Sequence, residues 1–421
     1  MKIKKTVLPN KLRIITIPMD TPTVTVLVLV QTGSKYETKN INGISHFLEH
    51  MCFKGTKKRP TALDIAKELD GIGSKYNAFT SHEYTGYYAK AEKKHFNTVL
   101  DVVSDIYLYP VFDSREVEKE KGVIADEINM FEDTPSRHAH DLFGRLLYGD
   151  QPAGWNVAGT KEITRSLSRD DFAAYRDKHY VASSTIVVIA GNINEVGAIR
   201  KVKEKFAGIS TGKKGGKLKV KESQKKPEIF LKYKKTDQTH LVLGFRAIDA
   251  FSKWRPALTV IASILGGGMS SRLFQKLRDE MGVGYYVRAD GDFYTDHGSI
   301  AVSTGVTNSR AGEVVMAILQ EFKKLKRELV SSEELNKVKE HLIGNMYLEL
   351  EPSDEIAMFY GGQEVIVGKT KKAEEVEKEI RKVTSQQIKE LSNKLFNNKN
   401  LNMAMIGPFK DKGKFGKILR I

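Results

Sequence analysis

Apolar and polar positions along this chain form the same succession of elements twice. Residues 24–30 and 239–245 are apolar-rich runs that predict buried strands. Near the end of each half, a helix-start signal with polar residues leads into a further apolar run. In the first half, the helix signal is residues 168–175 and the apolar run is residues 185–191. In the second half, they are residues 384–391 and 401–407. The pattern therefore predicts helices and strands that recur in one order.

The halves also share a local sequence pattern. Residues 114–121 align with residues 332–339 at an offset of 218 positions, and an internal duplication explains this best. Each half is predicted to contain an apolar strand, a helix, paired strands, a long helix, and then a helix, a strand and a helix. We expect an α+β fold with two duplicated αβ half-domains, each a mainly antiparallel sheet with helices packed on it.

Length and composition are those of an ordinary globular protein. The chain has 421 residues, 40% of them hydrophobic, so it can bury a large core in two or more domains. A Lys/Gly-rich stretch at residues 211–226 has the composition of an exposed linker. We therefore predict an N-terminal αβ domain at residues 1–210 and a C-terminal αβ domain at residues 227–421.

The net charge of +16 would attract acidic partners and could repel strongly cationic substrates. Much of the charge lies in two basic blocks, residues 213–226 and 410–417, which contain almost no aromatic residues. Nucleic-acid binding without sequence preference needs basic grooves and usually aromatic stacking platforms. We therefore expect no nucleic-acid partner and interpret the blocks as solubilising surface and flexible connection.

No run of 18 or more apolar residues occurs, and the first residues lack the apolar stretch of a signal peptide. We expect no membrane association and place the protein in the cytoplasm of a prokaryote. The single cysteine, Cys52, excludes an intrachain disulfide, which agrees with that compartment.

The pentad His46-Phe-Leu-Glu49-His50 contains candidate metal ligands and a candidate catalytic base. On a helix, offsets of 0, 3 and 4 fall on one face, so both imidazoles can point at one metal while Glu49 lies beside them as a base. Catalytic zinc usually takes three protein ligands and keeps a fourth position for water. The candidate for the third ligand is Glu127, 77 positions after His50. The order of the pentad inverts the commoner zincin motif.

Plainer interpretations exist for each of these residues. A lone His on an apolar helix face is more often a hydrogen-bonded core residue than a ligand, but two His and a Glu in this spacing favour a metal site. Glu120 lies two helical turns before Glu127, so both can face the site, although Glu120 alone could equally belong to a solvated face. His138 and His140 do not share a helix face, and we interpret them as structural.

Residues 43–56 closely resemble the zinc helix of the pitrilysin family of inverted-motif zinc metallopeptidases, in particular its mitochondrial-processing-peptidase-like branch. The resemblance covers essentially the whole chain. It implies two duplicated αβ domains that close like a clam, and one zinc ion per chain held by His46, His50 and Glu127. Cys52 stands where a larger aliphatic residue is typical of the family, so we expect it to pack and not to react.

Further roles follow only from the resemblance. It implies that Glu120 supports the zinc shell or the catalytic water. In the second half, Arg278 and Tyr285 match the family's Arg and Tyr pair, seven positions apart. Tyr285 would donate a hydrogen bond to the oxyanion or the substrate carbonyl, and Arg278 would bind substrate backbone or order the site. The neighbouring Tyr286 would point to the other side of a strand.

Residues 77–80 follow a Gly-Ile-Gly turn signal and are predicted to form a strand. By resemblance this is an edge strand on which Asn77 and Ala78 bind an extended peptide through main-chain hydrogen bonds. Without the resemblance, it would be an ordinary sheet strand.

The duplication explains why one zinc site is expected. At the offset of 218, Glu127 corresponds to Asn345 and Glu120 to Val338, and residues 261–268 contain no imidazole or carboxylate. The glycine-rich residues 265–271 lack the Gly-Lys-Ser/Thr ending of a phosphate loop. They are expected to form a tight loop that leads into a helix.

The sequence therefore predicts a zinc endopeptidase in which Glu49 activates a zinc-bound water and Tyr285 helps to stabilise the oxyanion. Substrates are expected to be peptides or unfolded segments, and a homodimer is the simplest assembly. The alternative is a non-catalytic structural or assembly subunit of the same family. Such members typically lose zinc ligands or the Arg/Tyr pair, whereas this chain retains both.

Overall fold

The computed structural model describes residues 2–421. Eleven strands of this part of the chain form two sheets. The strands are β1 (Lys4–Val7), β2 (Arg13–Pro18), β3 (Thr23–Val30), β4 (Lys75–Thr80), β5 (Thr85–Glu92), β6 (Thr185–Gly191), β7 (Glu228–Tyr233), β8 (Gln238–Ala247), β9 (Gly284–Phe293), β10 (Gly298–Thr307) and β11 (Leu401–Gly407).

Helices occupy most of the remaining chain. They are α1 (Ile44–Cys52), α2 (Ala62–Asp70), α3 (Phe96–Leu108), α4 (Ser114–Asp133), α5 (Pro135–Tyr148), α6 (Lys161–Ser166), α7 (Arg169–His179), α8 (Glu195–Lys205), α9 (Arg255–Gly266), α10 (Arg272–Phe274), α11 (Ala311–Arg327), α12 (Ser332–Glu349), α13 (Ser353–Val367), α14 (Ala373–Arg381), α15 (Ser385–Leu395) and α16 (Gly413–Ile418). A π-helical turn, Gln275–Glu280, continues α10 without a break. No helix within residues 2–421 is long and apolar enough to cross a membrane.

Both sheets are mainly antiparallel, which confirms the predicted fold class. The first sheet has the order β1-β2-β6-β3-β5-β4, and its one parallel pair is β2 with β6. The second has the order β7-β11-β8-β10-β9, and its one parallel pair is β7 with β11. The predicted buried strands at residues 24–30 and 239–245 lie in β3 and β8.

The duplication is visible in how the helices begin. Helices α4 and α12 start at Ser114 and Ser332, which are the aligned serines of the two halves. Ser168 caps α7 and Thr384 caps α15, each through a reciprocal capping box, and each helix leads into a fully buried strand, β6 or β11. These helix-start signals therefore act in the two halves as the sequence predicts.

The residues form two compact units that do not follow the sequence halves completely. The first unit contains residues 2–129, 155–218 and 348–371, and the second contains the remainder. Helix α13 therefore packs on the first sheet, and helix α5 packs on the second. A single boundary in residues 211–226 does not account for these two segments, whose packing partners are far away in sequence.

Helix α13 explains why residues 26–30 of β3 form a continuous apolar run. Val26 and Val28 face the cluster formed with α1 and α3, whereas Leu27 and Leu29 face α13. Because both faces of the strand are covered, the period of two gives way to a continuous apolar run. Polar contacts hold α13 in place. They are Ser353 with Thr25, Asp354 with Lys75 and Lys90, and buried Glu364 with Arg13 and Lys5.

The Lys/Gly-rich stretch is less exposed than its composition suggests. Between α8 and β7 the described chain forms neither helix nor strand. Gly215 is nevertheless buried, Lys214 donates a hydrogen bond to the Gln31 side chain, and Lys217 lies 2.9 Å from the buried Glu83 carboxylate. This part of the stretch is packed against the first unit.

Candidate metal centre

Helix α1 begins at a fixed point because a buried carboxylate caps it. Glu37 accepts hydrogen bonds from the backbone N–H groups of Gly43, at 2.7 Å, and Ser45, at 2.8 Å. Burial raises the pKa of Glu37 to about 7, although these hydrogen bonds oppose the shift. Gly43 has φ +98°, and a Cβ there would lie 2.6 Å from the Ala158 carbonyl oxygen, so the position requires glycine.

One face of α1 is core, and the other carries the candidate chemistry. Phe47, Leu48 and Met51 are fully buried. Cys52 is buried as well, and burial raises the pKa of its thiol to about 12, which fits the predicted packing role. Three polar side chains remain on the opposite face, as the spacing predicts. They are His46, Glu49 and His50.

The structure brings Glu127 of α4 to this face. Glu127 Oε2 lies 3.4 Å from His46 Nε2 and 3.5 Å from His50 Nε2. Zinc bonds of about 2.0–2.1 Å in a tetrahedron place neighbouring ligand atoms about 3.3 Å apart. The donor set and its spacing therefore fit zinc. Within residues 2–421, this is the one group of three or more His, Cys, Asp or Glu side chains that could hold a metal ion.

Glu120 lies behind His50. Its Oε1 is 2.8 Å from His50 Nδ1, and its Oε2 is 2.5 Å from Lys54 Nζ. Burial opposes ionisation here, yet the hydrogen bonds from His50 and Lys54 hold the pKa of Glu120 below its ordinary value. A carboxylate at Nδ1 directs the His50 proton to that nitrogen and leaves Nε2 for the metal.

Sequence reasoning missed two residues of this site. Lys54 lies two positions beyond the end of α1, so helix spacing does not indicate it. Thr80, at the end of β4, donates a hydrogen bond of 2.5 Å from Oγ1 to Glu49 Oε2. Burial raises the pKa of Glu49, and the Thr80 hydrogen bond opposes that shift. Thr80 lies two positions after Ala78 in the strand and so shares its face.

Asn77 and Ala78 lie in β4, the outermost strand of the first sheet, so the predicted strand at residues 77–80 is present and lies at an edge. The Ala78 N–H donates 2.9 Å to the Asn77 side-chain oxygen. That N–H is therefore not paired with β5 and faces the edge.

Tyr285 lies in the second unit, where β9 contains a bulge. Tyr286 pairs with Gly305, but the next pair joins Gly284 to Val306, so Tyr285 is the extra residue. Its side chain is 57% exposed. A bulge leaves the side chain of the extra residue free to project from the strand, which suits a group that contacts a ligand.

Two neighbours fix this bulge. Arg278, in the π-helical turn, donates 3.2 Å from Nη1 to the Tyr285 carbonyl oxygen. Thr304 Oγ1 donates 2.7 Å to the Tyr286 carbonyl oxygen, and the Tyr286 hydroxyl lies 3.2 Å from His240 Nδ1. Tyr286 is thus tied to the sheet while Tyr285 projects, in agreement with the predicted difference between them.

The other positions discussed from the sequence make contacts within the fold. His138 of α5 lies 2.9 Å from Lys232 Nζ. Asn345, the counterpart of Glu127, contacts His341, which in turn lies 2.7 Å from the Gly267 carbonyl oxygen. The glycine-rich segment joins α9 to α10, which confirms the predicted loop leading into a helix.

Comparisons with known proteins identify the family of this chain. Residues 13–161 match the family model described as insulinase (peptidase family M16), and residues 166–342 match the model described as peptidase M16 inactive domain. An uncharacterized zinc protease of Bacillus subtilis is 36% identical over 381 residues, which are 90% of this chain and 92% of that protein. An uncharacterized zinc protease of Streptomyces coelicolor is 31% identical over 97% of this chain and 90% of its own length.

Solved structures share the fold. A protease from Helicobacter pylori superposes with a TM-score of 0.90 at 21% identity, over 97% of this chain and 99% of its own. A peptidase M16 inactive domain from Pseudomonas fluorescens gives 0.89 at 17% identity, with the same coverage. The sequence matches run almost end to end, and this chain belongs to the M16, or pitrilysin, family of zinc proteases, whose cofactor is zinc.

Proposed function

We propose that this protein is a zinc-dependent endopeptidase that hydrolyses peptides or unfolded protein segments. The observation that carries the proposal is the convergence of His46, His50 and Glu127 with Glu49 beside them. Three ligands leave one position of a tetrahedral zinc open, as in hydrolytic zinc sites and unlike closed structural ones.

Bound zinc would supply a Lewis acid that lowers the pKa of water and polarises a carbonyl group. Glu49 is not needed as a ligand, so its carboxylate is available to take a proton from the attacking water. It would then return that proton to the leaving amine. Thr80 holds one oxygen of Glu49, which leaves the other oxygen to exchange the proton.

The substrate would bind as an added strand along β4. An edge strand recognises the main chain of an extended peptide, so it accepts many sequences but not a folded domain. Ala78 and Asn77 are the proposed contacts, because the Ala78 N–H faces the edge and the Asn77 side-chain oxygen accepts a hydrogen bond from it. This mode supports a substrate class of peptides and unfolded segments.

Arg278 and Tyr285 are proposed to complete the reaction chemistry. The exposed Tyr285 hydroxyl would donate a hydrogen bond to the oxyanion that forms on the substrate carbonyl. Arg278 contacts the Tyr285 carbonyl oxygen, which supports the ordering role among the two roles that the resemblance implies.

The alternative is a non-catalytic structural or assembly subunit. The complete set of metal ligands, base and Arg/Tyr pair favours the enzyme. The inactive-domain match falls mainly on the second half, where Asn345 stands in place of Glu127. A homodimer and a cytoplasmic location stay predictions from the sequence.

Zinc content and hydrolysis of a quenched, unstructured peptide test the function. The wild-type protein should hold one zinc per chain and cleave the peptide. Glu49→Gln should retain zinc but lose activity by roughly 10²-fold or more, because the amide keeps the shape and removes the base. Glu349→Gln, an exposed change in α12, is the control. Unchanged turnover of zinc-loaded Glu49→Gln would refute the assignment.

A further inference from the structure

We propose that a cavity beside β4 selects substrates by receiving one large apolar side chain, and that Met358 and Gly362 of α13 set the size it accepts. The inference rests on the proposed peptidase function and adds a substrate preference to it. Main-chain pairing with an edge strand does not depend on the side chains of the substrate. Any preference for a particular substrate side chain must therefore come from pockets beside the strand.

The cavity has a volume of about 320 Å³ and lies wholly within the first unit. Its wall is mainly apolar and aromatic, with one polar side chain, that of Asn77. The other lining residues are Leu29, Ala78, Phe79, Tyr84, Tyr88, Met358 and Gly362. Phe79 and Tyr84 meet edge to face, with ring centroids 6.0 Å apart. A half-exposed aromatic cavity of this size suits one leucine, phenylalanine or similar side chain and disfavours a charged one.

The cavity opens on the α13 face of the sheet. Phe79 packs with the α13 cluster, whereas Ala78 packs with the cluster that contains α1. Thr80, one position after Phe79, reaches Glu49 on the α1 face. The cavity and the proposed base thus lie on opposite faces of one strand but next to each other along it.

Hydrogen bonding in β4 shows which groups are available at the edge. The Ser81 N–H donates 2.9 Å to the Tyr84 carbonyl oxygen. Bonded pairs alternate in antiparallel strands, so Phe79 and Asn77 bond to β5, and the main-chain groups of Ala78 and Thr80 face outward. Peptide residues that lie opposite Phe79 or Asn77 would direct their side chains to the α13 face.

Two adjacent glycines of α13 differ in the space that a side chain would have, and only one of them could carry a side chain that changes the size of the cavity. A Cβ on Gly361 would lie 2.7 Å from Leu29 Cδ1, so close packing restricts that position. A Cβ on Gly362 would meet no atom within 4 Å, because it would enter open space. Position 362 can therefore change the cavity without disturbing the core.

The test uses zinc-loaded full-length protein and an unstructured peptide of Gly, Ser, Asn and Thr. One Phe, Leu, Ala or Asp is placed at each position in turn, and kcat/KM is measured. Dissociation constants of the same peptides are measured with Glu49→Gln. At one position near the cleaved bond, Phe or Leu should be favoured over Ala by roughly 10-fold or more.

Gly362→Leu should reduce this preference to within about 2-fold, since the new side chain fills the cavity that discriminates. Met358→Ala should shift it towards larger side chains. Gly344→Leu, an exposed helix position in α12 where a Cβ also meets no atom within 4 Å, should keep the wild-type preference. A helix-favouring change in place of glycine is not expected to unfold the protein.

The outcomes separate the two proposals. If the wild type cleaves peptides without an apolar preference, or Gly362→Leu keeps that preference, the cavity proposal fails and the peptidase function stands. If the wild type hydrolyses nothing but Glu49→Gln binds the Phe peptide more tightly than the Ala peptide, the cavity proposal stands and the peptidase function fails.

Discussion

Thr80 and Glu49 are joined by a hydrogen bond of 2.5 Å, which ties the last residue of the edge strand to the helix that carries both histidines. The same strand is the proposed binding edge for peptides. A substrate paired with β4 is therefore placed in register with the proposed base through one side-chain contact. In such an arrangement, small displacements of the strand alter the position of the carboxylate.

Thr80→Val should lower kcat by about 10-fold while KM and zinc content change little, because Glu49 loses the donor that orients it. Thr80→Ser keeps the hydroxyl and should restore most of the activity. The measurement is steady-state kinetics with metal analysis. A loss shared by Thr80→Ser, or a change confined to KM, would contradict a positioning role.

Glu120→Gln should weaken zinc retention by about 10- to 100-fold, since a carboxylate behind a histidine ligand orients the ring and raises its basicity. Lys54→Met should weaken zinc retention less, because Lys54 contacts Glu120 and influences the zinc ligand His50 through that contact. Competition with a chelator measures both. Glu118→Gln, an exposed change in the same helix, is the matched control. Equal zinc affinity in all variants would exclude this role.

Tyr285→Phe should reduce kcat by roughly 10- to 10³-fold with zinc content unchanged, as expected for loss of one oxyanion donor. Arg278→Met should lower kcat as well, because the bulge that presents Tyr285 loses one of its two side-chain hydrogen bonds. Tyr286→Phe removes only the His240 contact and serves as the comparison. If Tyr285→Phe retains wild-type kcat, the tyrosine belongs to the fold alone.

His179 should make the fold sensitive to acid. It is 2% exposed and packs against the ring of Tyr175, with centroids 4.4 Å apart. Burial, together with the charges of Lys178 and Lys214, lowers the pKa of His179 from 6.5 to about 4. The unfolded chain binds this proton first, so stability is lost as pH falls from about 6.5 towards 4, by roughly 3 kcal/mol.

Chemical denaturation of the zinc-free protein at pH 7 and pH 4.5 measures this loss. Zinc-free protein is used because ligand protonation would add its own pH dependence. His179→Phe should lose clearly less stability than the wild type over the same interval, since it has no proton to bind. Equal losses in the two proteins would show that His179 is not responsible.

Sequence analysis predicted the fold class and the family, both of which are confirmed. It also predicted the cluster of His46, His50 and Glu127, whose side chains the structure brings together. The shared face of His46, Glu49 and His50 depends on local periodicity, whereas the assignment of Glu127 rests on the resemblance to the family. Offsets of three and four place groups on one helix face, and offsets of seven place Glu120 and Glu127 on another.

Only the tertiary structure decided which sheet each helix covers. Helices α5 and α13 each have apolar faces, but nothing local to them indicates that one packs on the second sheet and the other on the first. The same holds for the contact of Thr80 with Glu49, the exposed bulge at Tyr285, and the cavity where Gly362 meets Phe79. Periodicity specifies which face of an element is apolar, whereas the partner of that face is chosen by packing among segments hundreds of residues apart.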